Sequence, residues 1–343
     1  MKEVLILGGS GFIGFNIVEC LVNRGDCNVT VADVKNNSKL TKLLNHKEKS
    51  KRLKFIKGDF SDKKAFLSFK RKFDEIYMLA AVVGVNKTIQ NPYEVINTNT
   101  MLTMNTLDWI SRNPVKKILF ASSSENYAGT SDLFDIDIPT NENVPLTISD
   151  IKHPRWTYAI TKIHGESSFI HSAKKYGHKC TIVRYQNIIG PDMGFGHAIP
   201  HIVERFINQL ESPIKVYGYD QTRAFCHVDD AVNGTILAME SSNSDGEIYH
   251  IGNEQEITME KLTKYIGDLV DYNGGYENAR TYPGSVKRRC PDIMKAKNDL
   301  GYEPRYDWKT AVEMTVLWYK NYFESGNQPN EGGFVPPELI MKK

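Results

Sequence analysis

Tyr158 and Lys162 stand four residues apart in Trp156-Thr157-Tyr158-Ala159-Ile160-Thr161-Lys162. On a helix that spacing puts a phenol and an ammonium on one face, a turn apart. The cation stabilises the phenolate and moves the tyrosine toward use as a base near neutral pH. Spacing alone is equally served by a half-buried aromatic beside a solvated lysine. A second feature adds weight to the chemical reading. Val4-Leu5-Ile6-Leu7-Gly8-Gly9-Ser10-Gly11-Phe12-Ile13-Gly14 places Gly8, Gly11 and Gly14 between an apolar run and an amphipathic one. Missing Cβ atoms there permit a tight strand-to-helix turn and close approach of a pyrophosphate, with the helix N-terminus facing the phosphates.

These residues need a scaffold. Short apolar runs alternate with longer amphipathic ones: Val4–Leu7, Ile13–Asn23, Val29–Asp33, Leu53–Lys57, Ile76–Ala81, Val95–Ser111, Lys117–Ala121, Thr157–Lys175 and Thr181–Tyr185. That rhythm predicts an α/β fold, a Rossmann-type doubly wound parallel sheet with helices on both faces. After Gly190-Pro191 the rhythm weakens, which predicts a smaller α/β C-terminal lobe for substrate, with strands near Ile214–Tyr217 and Glu247–Ile251. Ala224–Asp230 and Tyr249–Gly252 read as sheet-associated segments returning to the first lobe. The expected division is therefore 1–187 plus 224–253 for the dinucleotide, 188–223 plus 254–324 for substrate, and an irregular tail at 325–343. Asp33 ends the second strand, where a carboxylate accepts ribose hydroxyls and repels a 2′-phosphate. NAD is thus preferred to NADP, although Lys35 lies close enough to serve a phosphate.

The 343 residues, 41% hydrophobic, are enough to bury a sizeable core. A net charge of +2 supplies no field that selects nucleic acid or a membrane surface, so neither is expected as a partner. The lysines between Lys47 and Lys57 read as solvated surface. Cys20, Cys27, Cys180, Cys226 and Cys290 form no Cys-x-x-Cys pair, so neither a disulfide framework nor a zinc site is expected, and a reducing cytoplasm suits them. The N-terminal apolar run is too short for a signal or a membrane span. His197 and His227 read as structural hydrogen-bonders. Asp229 and Asp230 read as caps of a helix over Ala231–Met239 rather than as ligands, and no metal is assigned.

The Gly-x-x-Gly-x-x-Gly loop together with Tyr158 and Lys162 resembles the extended short-chain dehydrogenase/reductase family, whose nucleotide-sugar epimerases and dehydratases use NAD. The resemblance runs from Met1 to about Trp318. It implies cofactor contacts from Gly8, Gly11, Phe12, Ile13, Gly14 and Asp33, from Asp59 and Phe60 after the third strand, and from Leu79, Ala80 and Ala81 at the end of the fourth. Asn99, in a helix, and Lys162 complete that set. Met78 departs from the histidine often found there, and Leu102 from the usual glycine. By the same resemblance Tyr158 takes the hydroxyl proton, Ser123 hydrogen-bonds that hydroxyl, and Lys162 holds the ribose while hydride leaves carbon 4 of a sugar.

Glu125, two residues after Ser123, is the more diagnostic position. Dehydratases and decarboxylases of the family carry a glutamate there, whereas simple epimerases and reductases carry a small or neutral residue. A carboxylate beside a 4-keto sugar can move or position protons; the plain alternative is a helix-capping or solvated glutamate. Ser123-Ser124-Glu125, Pro154-Arg155-Trp156-Thr157-Tyr158, Ser212-Pro213-Ile214-Lys215 and Gln221-Thr222-Arg223-Ala224-Phe225 resemble the UDP-glucuronate decarboxylase branch. That resemblance implies substrate contacts from Asn187, Arg223 and Arg289, the last of which suits either a carboxylate or a diphosphate. Ser123 replaces the usual threonine, and Asn126 and Ala128 break the common Val-Tyr-Gly ending. The loop Met193–His197 matches no assigned substrate loop.

The expectation is an NAD-dependent enzyme that oxidises a nucleotide-diphosphate sugar at carbon 4 and then decarboxylates or dehydrates it. Ser123, Ser124, Glu125, Tyr158 and Lys162 form the reacting centre. A 4-epimerase is the alternative, and a non-catalytic NAD-sensing protein on the same fold is another. The helices Asn99–Ser111 and Thr157–Lys175 resemble those that build a homodimer in the family.

Overall fold

The computed structural model describes residues 1–281, 285–329 and 333–336. From the N-terminus run β1 (Lys2–Leu7), α1 (Phe12–Arg24), β2 (Cys27–Asp33), α2 (Ser38–Leu44), β3 (Leu53–Lys57), β4 (Glu75–Met78), α3 (Val85–Gln90), α4 (Pro92–Arg112), β5 (Lys117–Ser123), α5 (Ala128–Leu133), α6 (Trp156–Tyr176) and β6 (Lys179–Tyr185). There follow β7 (Ile188–Ile189), α7 (Ala198–Ile207), β8 (Ile214–Tyr217), β9 (Thr222–Ala224), β10 (Cys226–His227), α8 (Val228–Glu240), β11 (Ile248–Ile251), β12 (Glu256–Thr258), α9 (Met259–Leu269), β13 (Tyr276–Ala279), β14 (Arg288–Arg289), α10 (Met294–Leu300) and α11 (Trp308–Glu324).

Seven strands form one parallel sheet in the order β11-β6-β5-β4-β1-β2-β3. The apolar run of β1 is explained by its central position. Val4 and Ile6 enter a core shared with α1 and α8, while Leu5 and Leu7 enter the opposite core with Leu102, Trp109 and Phe169. Helices cover both faces of such a strand, so alternation gives way to continuous burial. The order of the strands reverses between β1 and β4, and a crevice opens outside their carboxyl ends at such a switch point. The glycine loop follows β1 there. A third core gathers Ile199, Phe206, Ile214, Leu262, Val312 and Tyr319 from α7, β8, α9 and α11.

Two helices position the reacting residues. α4 starts with Pro92 at its first turn, where the missing N–H costs nothing. α6 lies tightly on β5, with the Phe120 and Phe169 rings stacked at 4.9 Å. A Cβ on Gly165 would meet Phe120 Cζ at 2.3 Å, so this position sets how closely α6 approaches the sheet.

Some expectations are corrected. β4 ends at Met78, leaving Leu79, Ala80 and Ala81 beyond the strand, because Met78 is its last residue paired with Leu7 and Phe120. The helix after β10 begins at Val228, capped by His227, whose Nδ1 accepts from Asp229 N at 3.2 Å. Asp230 is no cap: fully buried, it accepts from Arg305 N at 3.0 Å and Tyr306 N at 3.1 Å, tying α8 to the approach to α11. In the tail, 325–329 and 333–336 hold no helix or strand, and its other residues lie outside those described. Phe334 N nevertheless donates to Glu204 on α7 at 2.8 Å.

Candidate active site

The dinucleotide loop is built from the backbone. Gly8 has φ +84°, and a Cβ there would lie 2.6 Å from Ala80 N; one on Gly14 would lie 2.2 Å from Gly8 O. Side chains would therefore close the cradle between β1, α1 and the end of β4. Gly11 caps α1 without a side-chain hydrogen bond, which leaves first-turn N–H groups for an anion. Asp33 Oδ2 accepts from Ser10 N at 3.0 Å. Among the described residues Ser10 Oγ is buried with no partner, a group that a bound molecule would satisfy. These residues fit a dinucleotide.

Asn99 is buried in α4 and accepts from Val82 N at 2.7 Å while donating to Val82 O at 3.1 Å and Thr161 Oγ1 at 3.3 Å. It ties the segment after β4 to α6. Asp59 is exposed and accepts from Ser61 N at 3.0 Å. Phe60 stacks on Phe69 at 5.2 Å within an aromatic cluster, so its side chain is committed to the core and its backbone alone remains to meet a ligand. Phe12 packs between two cores at the start of α1.

Tyr158 and Lys162 share α6 as the spacing requires. Lys162 is buried, and its Nζ donates to Ala121 O at 2.7 Å while lying 5.6 Å from the Tyr158 ring centre. Burial lowers its pKa to about 8 against the opposing charge of Glu166, one turn further along. Two ammonium protons remain for other partners. Tyr158 departs from the sequence expectation. The protein's own groups push the phenol above its ordinary range, through burial first and the charge of Glu125, while a hydrogen bond from Ser123 works the other way.

β5 delivers Ser123 to its end, and residues 124–127 turn as a short 3-10 helix. Ser123 Oγ accepts from Glu125 N at 3.2 Å. Glu125 lies between two guanidinium groups, with Arg289 Nη1 at 2.7 Å from Oε1 and Arg155 Nη2 at 3.3 Å from Oε2. Burial alone would raise its pKa, but Arg289 and then Arg155 hold it down to about 2. Arg289 Nη1 also donates to the buried Ser124 Oγ at 3.3 Å. Arg155 Nη1 and Arg289 Nη2 are buried without partners among the described residues. Arg155 was not among the expected site residues; its place three residues before Tyr158, at the start of α6, was the available signal.

Below the turn, Glu166 Oε1 accepts from Ser122 Oγ at 2.5 Å, Asn126 Nδ2 at 2.8 Å and Arg184 Nε at 2.7 Å, and Oε2 accepts from Arg184 Nη2 at 2.6 Å. Arg184 continues to Tyr127 Oη and to Glu142 O. This buried network supports the turn that carries Ser124 and Glu125. Sequence reasoning saw Asn126 only as a departure and missed the rest.

The remaining expected residues gather beside the turn. Arg223 on β9 is the register partner of Arg289 on β14, so two guanidinium stems share one face of a small sheet. Arg223 donates to Thr222 O at 2.7 Å and Gln221 Oε1 at 3.2 Å. Asn187 adopts φ +43°, a conformation asparagine tolerates, and donates to Ala224 O at 3.0 Å.

Known proteins resemble this chain over nearly its whole length. The UDP-N-acetyl-alpha-D-glucosaminuronate decarboxylase of Bacillus cytotoxicus is 32% identical, over 93% of this chain and 98% of its own length. A UDP-glucuronate 4-epimerase of Thermodesulfobacterium geofontis is 29% identical, over 94% and 98%. The structure of UDP-glucuronic acid 4-epimerase from Bacillus cereus, in complex with UDP-glucuronic acid and NAD, shares the fold with a TM-score of 0.80 at 22% identity, over 93% of this chain and 99% of that one. The NAD dependent epimerase/dehydratase family model matches residues 4–252, and the chain belongs to that family of NAD-using enzymes that act on nucleotide sugars.

Proposed function

We propose that the protein is a UDP-hexuronate decarboxylase that oxidises the sugar at carbon 4 and then releases carbon dioxide from carbon 6. One observation carries the reading: Glu125 is held ionised between Arg155 and Arg289 at the end of β5, within charge range of Tyr158. The two guanidinium groups outnumber the one carboxylate between them, and a hexuronate brings a second carboxylate that balances the charge.

NAD, held by the glycine loop and Asp33, supplies the hydride acceptor. Tyr158 takes the proton of the 4-hydroxyl, Ser123 holds that oxygen, and Lys162 holds the ribose and balances the phenolate. The resulting ketone makes the carboxylate a β-keto acid. Its C5–C6 bond breaks, the electron pair enters the enolate spanning carbon 5, carbon 4 and the oxygen on carbon 4, and carbon dioxide leaves. Ser123 and Tyr158 stabilise that oxygen, and Glu125 orders the proton path back to carbon 5. Asn187 and Arg223 serve the diphosphate. In this reading 188–223 plus 254–324 form the substrate lobe, and α4 with α6 pairs two copies of the chain.

A 4-epimerase acting on the same uronate is the second reading, favoured by the similarity to a UDP-glucuronate 4-epimerase. Incubation with UDP-glucuronate and UDP-N-acetylglucosaminuronate, followed by mass spectrometry, separates the two. Loss of carbon dioxide is the expected result. A product of unchanged mass overturns decarboxylation.

A further inference from the structure

Arg155 stands immediately before Trp156, at the N-terminal end of α6, three residues ahead of Tyr158. Among the described residues, only one arm of its guanidinium is used by another side chain, Nη2 on Glu125, while Nη1 is buried with no partner. Arg289 shows the same pattern from the other side, with Nη1 engaged and Nη2 buried and unpartnered. Their side chains are 12% and 11% exposed. Buried charged donors left unpaired are costly, and two of them flanking one carboxylate point to a missing acceptor.

Charge counting gives the nature of that acceptor. Two guanidinium groups against one ionised glutamate leave a net charge of one positive unit, to which the N-terminus of α6 adds its partial positive charge. Asp132, exposed on α5, feels both arginines yet forms an ion pair with neither among the described residues. The clamp's charge and its two unpaired N–H donors therefore match one more monoanion with planar, two-oxygen geometry. A carboxylate satisfies it; a hydroxymethyl group does not.

We infer that Arg155 is a substrate-recognition residue whose free Nη1, with the free Nη2 of Arg289, receives the carboxylate of the hexuronate and sets the preference for it over a neutral hexose. This rests on the proposed function and assigns its specificity. Decarboxylation removes the anion, so affinity for the product sugar does not depend on Arg155.

The test is calorimetric titration of the NAD-loaded protein with UDP-glucuronate, UDP-glucose and UDP-xylose, every variant carrying Tyr158→Phe so that the bound uronate is not turned over. With Arg155 in place, as in the wild type, the protein binds the uronate more tightly than the hexose. Arg155→Gln weakens uronate binding by about tenfold to a hundredfold, the range of a charge-assisted hydrogen bond, and leaves the two neutral sugars unchanged. An equal loss for all three sugars marks a structural role and overturns the inference, as does an undiminished uronate preference. If Arg155→Gln fails to fold or to retain NAD, Arg155→Lys keeps the charge but not the fork; it is expected to lose most of the preference, and full retention overturns the inference. A wild type without preference for the uronate overturns the functional reading itself.

Discussion

Arg289 Nη1 lies 2.7 Å from Glu125 Oε1, joining positions 164 residues apart in the chain. β14 brings the arginine from the segment preceding α10, and β5 brings the glutamate from the parallel sheet. The contact places the charge of a small sheet against the end of the large one, next to the tyrosine that the sequence singled out.

Tyr158→Phe removes the group proposed to accept the 4-hydroxyl proton. Turnover is expected to fall by about 10²- to 10⁴-fold, the usual range for general acid–base catalysis. NAD binding, followed by cofactor fluorescence, is expected to be unaffected. Loss of both together would show that the tyrosine acts on folding or on the cofactor instead.

Glu125 has a folded pKa of about 2 against an ordinary value of 4.5. A depressed carboxylate stabilises the fold fully above its unfolded pKa, and the contribution is lost as pH falls through the folded value. Denaturation of wild type and Glu125→Gln should therefore give a stability difference in favour of the glutamate that is constant above about pH 5. The difference should shrink between pH 4.5 and about 2. A pH-independent difference would contradict the clamp.

Glu166 and Arg184 form a buried pair with side chains 5% and 3% exposed. Glu166→Gln leaves Arg184 without its counter-charge and is expected to cost about 3–5 kcal/mol, measured by urea unfolding. The same variant should lower kcat even where folded, because glutamine keeps one acceptor oxygen where the carboxylate had two, and turns an N–H donor toward Arg184, so the bonds that hold the turn are disturbed.

Met101 and Met104 are exposed at helical spacing on α4, with Tyr93 two turns before Met101. With α4 and α6 as the surface between two copies, Met101→Glu combined with Met104→Glu should convert a dimer to a monomer by light scattering. A wild-type monomer at micromolar concentration would reject the pairing.

Much of the scaffold was legible in the chain. The run Val4–Leu7, the glycines after it and the amphipathic stretch Ile13–Asn23 are local signals, and β1, the loop and α1 (Phe12–Arg24) follow them to within a residue or two. The bounds of β8 also agree with the expected Ile214–Tyr217. The strands β7, β9, β12 and β14, of two or three residues each, were not read, because periodicity needs more residues than they contain; β10 was read only within the sheet-associated segment Ala224–Asp230, and it pairs with β7 rather than with the large sheet. Phe60 was read toward the cofactor by its position in a motif, whereas its ring packs on Phe66 and Phe69, six and nine residues further along, a fold-back that no helix or strand period announces.

The sequence by itself determined which residues share a helix face or a loop, since a turn of 3.6 residues and a missing Cβ act over a few positions. It thereby set Tyr158 beside Lys162 and opened the cradle at Gly8 and Gly14. Only the tertiary structure decided their electrostatics. Burial pushes Tyr158 up and Lys162 down, and Arg155 and Arg289 close on Glu125, because desolvation and long-range charge pairing exist only once distant segments have packed.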